Sequence, residues 1–115
     1  MRKIEQNMLA AIRSGKGFSS GNTCVVHEAA QNDGTPVARI SLHGNHIANV
    51  YVDRIMMTLA GWPTVTTRSR LNAICREFAN STGFSRRLGQ QVFFTGEGRA
   101  FREIENDEWV MVPRK

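Results

Sequence analysis

The chain has 115 residues, 41% of them hydrophobic and 22% charged, and carries a formal net charge of +5. That length supports one modest core, so 1–115 is expected to form a single domain, and the ordinary apolar and charged fractions exclude disorder, collagen-like repetition and a disulfide scaffold. No apolar run approaches the roughly 18–20 residues that span a bilayer, and Glu5 and Gln6 stand where a signal peptide would be apolar, which predicts a cytosolic protein without a membrane partner.

Residues 2–13 place Ile4, Met8, Leu9 and Ile12 at helical spacing with no Gly or Pro inside, and Gly15 is positioned to stop the helix. Residues 16–22 are rich in turn formers and read as a loop carrying one aromatic, Phe18. Four strands are predicted next, at Thr23–Ala29, 37–42, 46–52 and 55–59, separated by Asn32-Asp33-Gly34, Gly44-Asn45 and Asp53-Arg54. Connections that short force antiparallel neighbours. Ala38, Ile40 and Leu42 share one face while Arg39 and Ser41 point the other way, as in a sheet with one wet side.

Gly61-Trp62-Pro63 breaks the strand pattern, and residues 66–78 then place Leu71, Ile74, Cys75 and Phe78 on one helical face. Thr66 or Thr67 is the natural N-cap, and Gly83 the stop. Strands at 90–95, 99–105 and 109–112 complete the chain, joined by Gly96-Glu97-Gly98 and Asn106-Asp107-Glu108. The order α-ββββ-α-βββ predicts an α+β fold in which two helices cover an antiparallel sheet of about six to seven strands.

Cys24 and Cys75 sit among apolar neighbours with no metal spacing, and both read as reduced core thiols. His43-Gly44-Asn45-His46 sets two imidazoles three apart across a tight turn, with His27 on a neighbouring strand, a set that zinc can use. Gly44 and Asn45 account for that turn by their tolerance of positive φ, however, and no Cys or carboxylate stands at ligand spacing, so no metal is expected. No Ser occupies a Gly-x-Ser-x-Gly elbow, neither Cys has basic residues on both sides, and no Gly-rich loop precedes a Lys-Ser or Lys-Thr pair. Glu97, Glu103, Glu105, Asp107 and Glu108 fall in a turn-rich segment that reads as solvated rather than as a pair of catalytic carboxylates. Neither enzyme activity nor a cofactor is expected.

Charge is unevenly spread: residues 1–96 hold 11 basic and 5 acidic side chains, and residues 97–115 hold 4 and 5. Arg68, Arg70, Arg76, Arg86 and Arg87 gather on and after the second helix with Glu77 alone against them, a basic surface suited to phosphate-rich partners. At the start of that helix, outward-pointing amides, the helix dipole, the hydroxyls of Thr66 and Thr67 and the guanidinium groups of Arg68 and Arg70 are the makings of a phosphate site. Trp62, just upstream, either stacks on a base or plugs the core, and the arginines either bind phosphate or are simply solvated. Residues two apart on a helix point about 200° from each other, so at most one of Arg68 and Arg70 joins a given patch. Strand rather than helix precedes the motif, which excludes a helix-turn-helix and leaves sequence-tolerant contact.

The blocks at residues 3–13, Gly21-Asn22-Thr23, Leu42-His43-Gly44-Asn45-His46-Ile47-Ala48, Ala60-Gly61-Trp62 and Thr66-Thr67-Arg68-Ser69-Arg70-Leu71-Asn72-Ala73 resemble a group of small proteins encoded by tailed bacteriophages, over about residues 3–78. The resemblance implies a host bacterial cytoplasm and a role in replication, host takeover or evasion of defence. It adds no catalytic residue, and it makes His43, Asn45 and Asn72 further site candidates beside Trp62, Thr66, Thr67, Arg68 and Arg70.

The leading expectation is therefore a non-enzymatic phage protein that engages nucleic acid or another phosphate-bearing ligand. Arg68 and Arg70 would hold phosphate, Trp62 would stack, and Arg86 and Arg87 would supply general attraction. The alternatives are an inhibitor of a host bacterial protein, docking through Trp62 or Phe18, and a sponge for a nucleotide signal. Pairing of a sheet edge would make a homo-oligomer.

Overall fold

The computed structural model describes residues 2–80, 82–95 and 100–115. In chain order the elements are α1 (Lys3–Ser14), β1 (Phe18–Ser20), β2 (Thr23–Ala29), β3 (Pro36–Leu42), β4 (Asn45–Val50), β5 (Arg54–Thr58), α2 (Val65–Phe78), β6 (Gly83–Arg87), β7 (Gln90–Thr95), β8 (Ala100–Glu103) and β9 (Trp109–Pro113). The expected α+β class holds. Six strands pair antiparallel in the order β1-β2-β3-β4-β5-β9, and β6-β7-β8 form a second, three-stranded sheet.

Alternation along the strands decides which side of the large sheet is dry. Ala38, Ile40, Leu42, Ala48, Val50, Ile55, Met57, Val110 and Val112 are buried in one cluster with Met8, Leu9 and Ile12 of α1 and Leu71, Ile74 and Phe78 of α2. Arg39, Met111 and Val26 stand on the opposite, uncovered face. A shift of register between Ile40 and Ser41 leaves Ile47 unpaired on β4, and the bulge turns Ile47 inward beside Ala48. On its other side α2 meets the small sheet: Asn72 accepts from the Phe84 N–H at 2.7 Å and donates to the Phe84 carbonyl at 3.0 Å. Gly83 is required at that approach, since a Cβ there would lie 2.5 Å from the Phe94 ring.

Several local expectations are corrected. Phe18–Ser20 is a strand rather than loop, because three residues are too few to show a period but enough to pair with β2. The N-cap of α2 is Thr64, whose hydroxyl accepts from the Thr67 N–H at 3.1 Å, and the helix ends at Phe78, well before Gly83. The β3–β4 turn is His43-Gly44, with φ of 52° and 77°, one residue earlier than Gly44-Asn45. Two further pairs share that left-handed geometry, Ala60-Gly61 and Leu88-Gly89. His43-Gly44 and Leu88-Gly89 join antiparallel strands and Ala60-Gly61 turns the chain from β5 toward α2, and in each pair a non-glycine residue is held at positive φ, where its Cβ is crowded. Cys75 is buried as expected, whereas Cys24 is half-buried on the uncovered face. The expected turn Gly96-Glu97-Gly98 and Arg99 lie outside the described residues.

The inward stripe of α1 contains a carboxylate. Ile4 is only half-buried, and Glu5 takes the buried position beside Met8, Leu9 and Ile12. Its partner is Arg70 of α2, at 2.9 Å, with both side chains almost wholly out of water (2% and 4% exposed). Arg70 also donates to the Thr23 hydroxyl at 3.0 Å and to Asn22 Oδ1 at 3.4 Å, while the Ser69 hydroxyl donates to Glu5 at 2.6 Å. One guanidinium thus ties α1, α2 and the first residues of β2.

Removing one member of such a pair strands the other charge in a dry site. Arg70→Ala is expected to lower the unfolding free energy by about 3–5 kcal/mol, read from urea titrations; a loss below about 1 kcal/mol would mean the pair is not buried in solution. Burial pushes the Cys75 thiol up to about 11 from 9.0. Because the raised value belongs to the folded state, the contribution is full below pH 9 and is lost as the pH rises toward about 11. Cys75→Ala should remove that part of the alkaline decline in melting temperature.

Candidate functional site

At the end of the large sheet where the β3–β4 turn, the Ala60-Gly61 turn and the start of α2 meet, a cleft of about 410 Å³ opens. Leu42, Ile47 and Leu59 form its apolar floor, and His43, Asn45, Trp62, Thr64, Thr66 and Thr67 supply its rim and polar groups. Its volume lies within the range of preformed small-ligand sites, about 300–1,000 Å³. Each wall has a local cause. The His43-Gly44 turn lifts His43 and Asn45 above the sheet end, and the bulge at Ile47 fills the gap beneath them. The Ala60-Gly61 turn is closed by the Trp62 N–H donating to the Leu59 carbonyl at 2.9 Å, which throws Trp62 outward, 60% exposed. Trp62 is therefore a rim residue and not a core plug.

The start of α2 gives the cleft its electrostatic character. Thr64 caps the Thr67 amide, and the amides of Val65 and Thr66 have no hydrogen-bond partner among the described residues. The first turn carries no acidic side chain, so the positive end of the helix dipole is not neutralised there. Among the described residues no Asp, Glu, Lys or Arg lines the cleft.

Five of the candidate residues, His43, Asn45, Trp62, Thr66 and Thr67, come together in this cleft from two separated segments, 42–47 and 59–67. Thr67 contributes little surface, because it is buried and its hydroxyl lies 3.0 Å from that of Thr64. The arginines are dispersed. Arg70 is withdrawn into the ion pair with Glu5 and cannot hold phosphate. Arg68, on the opposite side of the helix, donates to the Pro63 carbonyl at 2.8 Å and to Gln91 Oε1 at 3.1 Å, fastening the Trp62 loop to β7. Arg86 and Arg87 are exposed on β6, where Arg87 stacks 4.4 Å from the Phe101 ring centre. Asn72 is spent on the Phe84 backbone and is structural.

Leu42, Ile47, Leu59 and Thr64 line the cleft without having been candidates. The first three carry no signal that separates them from any core residue, whereas Thr64 follows Pro63 at a helix start, where an N-cap is common. Asn22 was missed as well: its carbonyl oxygen accepts from Arg70 and its amide nitrogen lies 3.4 Å from His43 Nε2, so it joins the buried ion pair to the cleft. The other histidines are elsewhere. His27 donates to the Ala11 carbonyl at 3.0 Å, and His46 lies 2.7 Å from Asn49 Oδ1 with its ring edge-on to Trp109. Among the described residues no group of three or more His, Cys, Asp or Glu is placed to hold a metal ion, and no helix is long and apolar enough to cross a membrane.

Fold and cleft together define a small α+β protein with a ligand-sized cleft at a sheet end. Over residues 1–111 the chain matches the Kyanoviridae Gp96 protein family and belongs to it, which makes it a bacteriophage protein. No curated protein and no solved structure matches it.

His43 holds a left-handed conformation that Asn adopts at lower cost. His43→Asn is expected to raise the melting temperature by a few degrees, about 0.5–1 kcal/mol. A fall would mean that the imidazole's contact with Asn22 outweighs the strain.

Proposed function

We propose that this phage protein binds, without transforming, the nucleotide unit of a phosphate-bearing ligand, and that the cleft under Trp62 is where it does so. The observation that carries this reading is the convergence of Trp62, His43, Asn45 and Thr66 on one cleft at the positive end of α2. An exposed indole offers a stacking face to any base, Asn45 and His43 offer hydrogen bonds to its edge, and unpaired first-turn amides offer donors to phosphate oxygens. The polar groups that line the cleft among the described residues are an imidazole, a carboxamide and threonine hydroxyls, all able to hydrogen-bond a base edge or a phosphate. The ligand chemistry is shared by a free nucleotide in the host cell and by one unstacked residue of a single strand.

A host bacterial protein docking on the same rim is the second reading, favoured by the adjacent exposure of Trp62 (60%) and Val65 (67%). Titration of the purified chain with nucleoside monophosphates and with short oligothymidylate separates the possibilities. Trp62→Ala is expected to weaken binding at least tenfold, the size of one base stack of about 1–3 kcal/mol, with an unchanged melting temperature. Affinity for the oligonucleotide should fall steeply as salt rises. No binding of either probe at low salt, together with a nuclease-resistant polypeptide bound through the rim, would replace this reading with the host-protein one.

A further inference from the structure

We infer that the ligand extends beyond one nucleotide, with Arg86, on the far side of Pro63, taking the next phosphate of a single strand; this rests on the nucleotide reading of the cleft. Pro63 lies between Trp62 and Thr64, which both line the cleft, and itself lines a second cavity of about 420 Å³. That cavity runs along the β6–β7 turn past Arg86, Gln90 and Gln91 and is bounded by Glu105 and Asn106. Pro63 thus borders the second cavity while its two chain neighbours border the first, which makes the two cavities adjacent.

The Pro63 segment is held from both sides. Arg68 donates to the Pro63 carbonyl and to Gln91, tying the Trp62 loop to the hairpin that bears Arg86. From the other side the Gly61 N–H donates to the Asn106 carbonyl at 2.7 Å. The two cavities therefore keep a set spacing rather than adjoining by chance. Their chemistry alternates as a nucleotide chain does. The first is mainly apolar with an aromatic rim, and the second is mainly polar with a guanidinium. Arg86 makes no ion pair and no side-chain hydrogen bond among the described residues, so its donors remain available for phosphate oxygens. Glu105 is the carboxylate that lines this cavity, and it weakens an anion there.

The test compares thymidine monophosphate with the dinucleotide pTpT by calorimetric titration of the full chain at several salt concentrations. The dinucleotide is expected to bind about tenfold more tightly, as one added charge-assisted contact allows. Arg86→Gln should erase that advantage and flatten the salt dependence by about one phosphate contact, while leaving monophosphate affinity and melting temperature unchanged. Glu105→Gln should strengthen dinucleotide binding alone. Equal affinities for both probes, with no effect of Arg86→Gln, would overturn the second subsite and leave the cleft reading intact. Binding of neither probe would overturn both.

Discussion

The Glu5–Arg70 pair is the constraint around which the rest of the molecule is arranged. A carboxylate and a guanidinium withdrawn from water are tolerable only together and only with their remaining donors and acceptors engaged, which Thr23, Asn22 and Ser69 do. Sliding α1 along α2 by a turn would strand both charges, so the relative placement of the helices is set by this contact and not by apolar packing alone. Since α1 also lies against β2, the pair positions the start of α2 over the sheet end. It reaches the cleft through Asn22, which accepts from Arg70, lies within reach of the His43 ring and receives the His43 backbone N–H at 2.7 Å.

Tight turns do the rest of the positioning. The cleft is walled by His43-Gly44 on one side and Ala60-Gly61 on the other, two-residue turns with little conformational freedom to lose. A site framed this way is organised before its ligand arrives, which reduces the ordering that opposes binding. The exposed indole of Trp62 is held by the hydrogen bond from Trp62 to Leu59 and by Arg68 gripping the next residue, Pro63. Arg68 thus acts as a positioning residue for the rim.

The formal charge of +5 does not concentrate at the cleft. Of the five arginines clustered in sequence around α2, one neutralises Glu5, one braces a loop and one stacks on Phe101, leaving Arg76 exposed in the last turn of α2 and Arg86 beside the second cavity. Attraction of polyanions through the surface and recognition within the cleft are therefore tasks for different residues.

Much of the architecture was legible because it follows from short-range patterns. Apolar spacing located both helices, alternation in β3 identified the dry face, and short connections dictated antiparallel pairing, all of which are properties of neighbouring residues. The membership of His43, Asn45, Trp62 and Thr66 in one site was not legible, since no local rule says that the 42–47 turn and the 59–67 segment meet in space. The signs of the buried pair were present, a Glu on the inward stripe of α1 and an Arg beside Leu71 on that of α2, but only the packing of the two helices makes one the partner of the other. For the same reason the arginines could be counted from the sequence and not assigned: a guanidinium is equally at home in solvent, in an ion pair or on a carbonyl, and the tertiary contacts decide which.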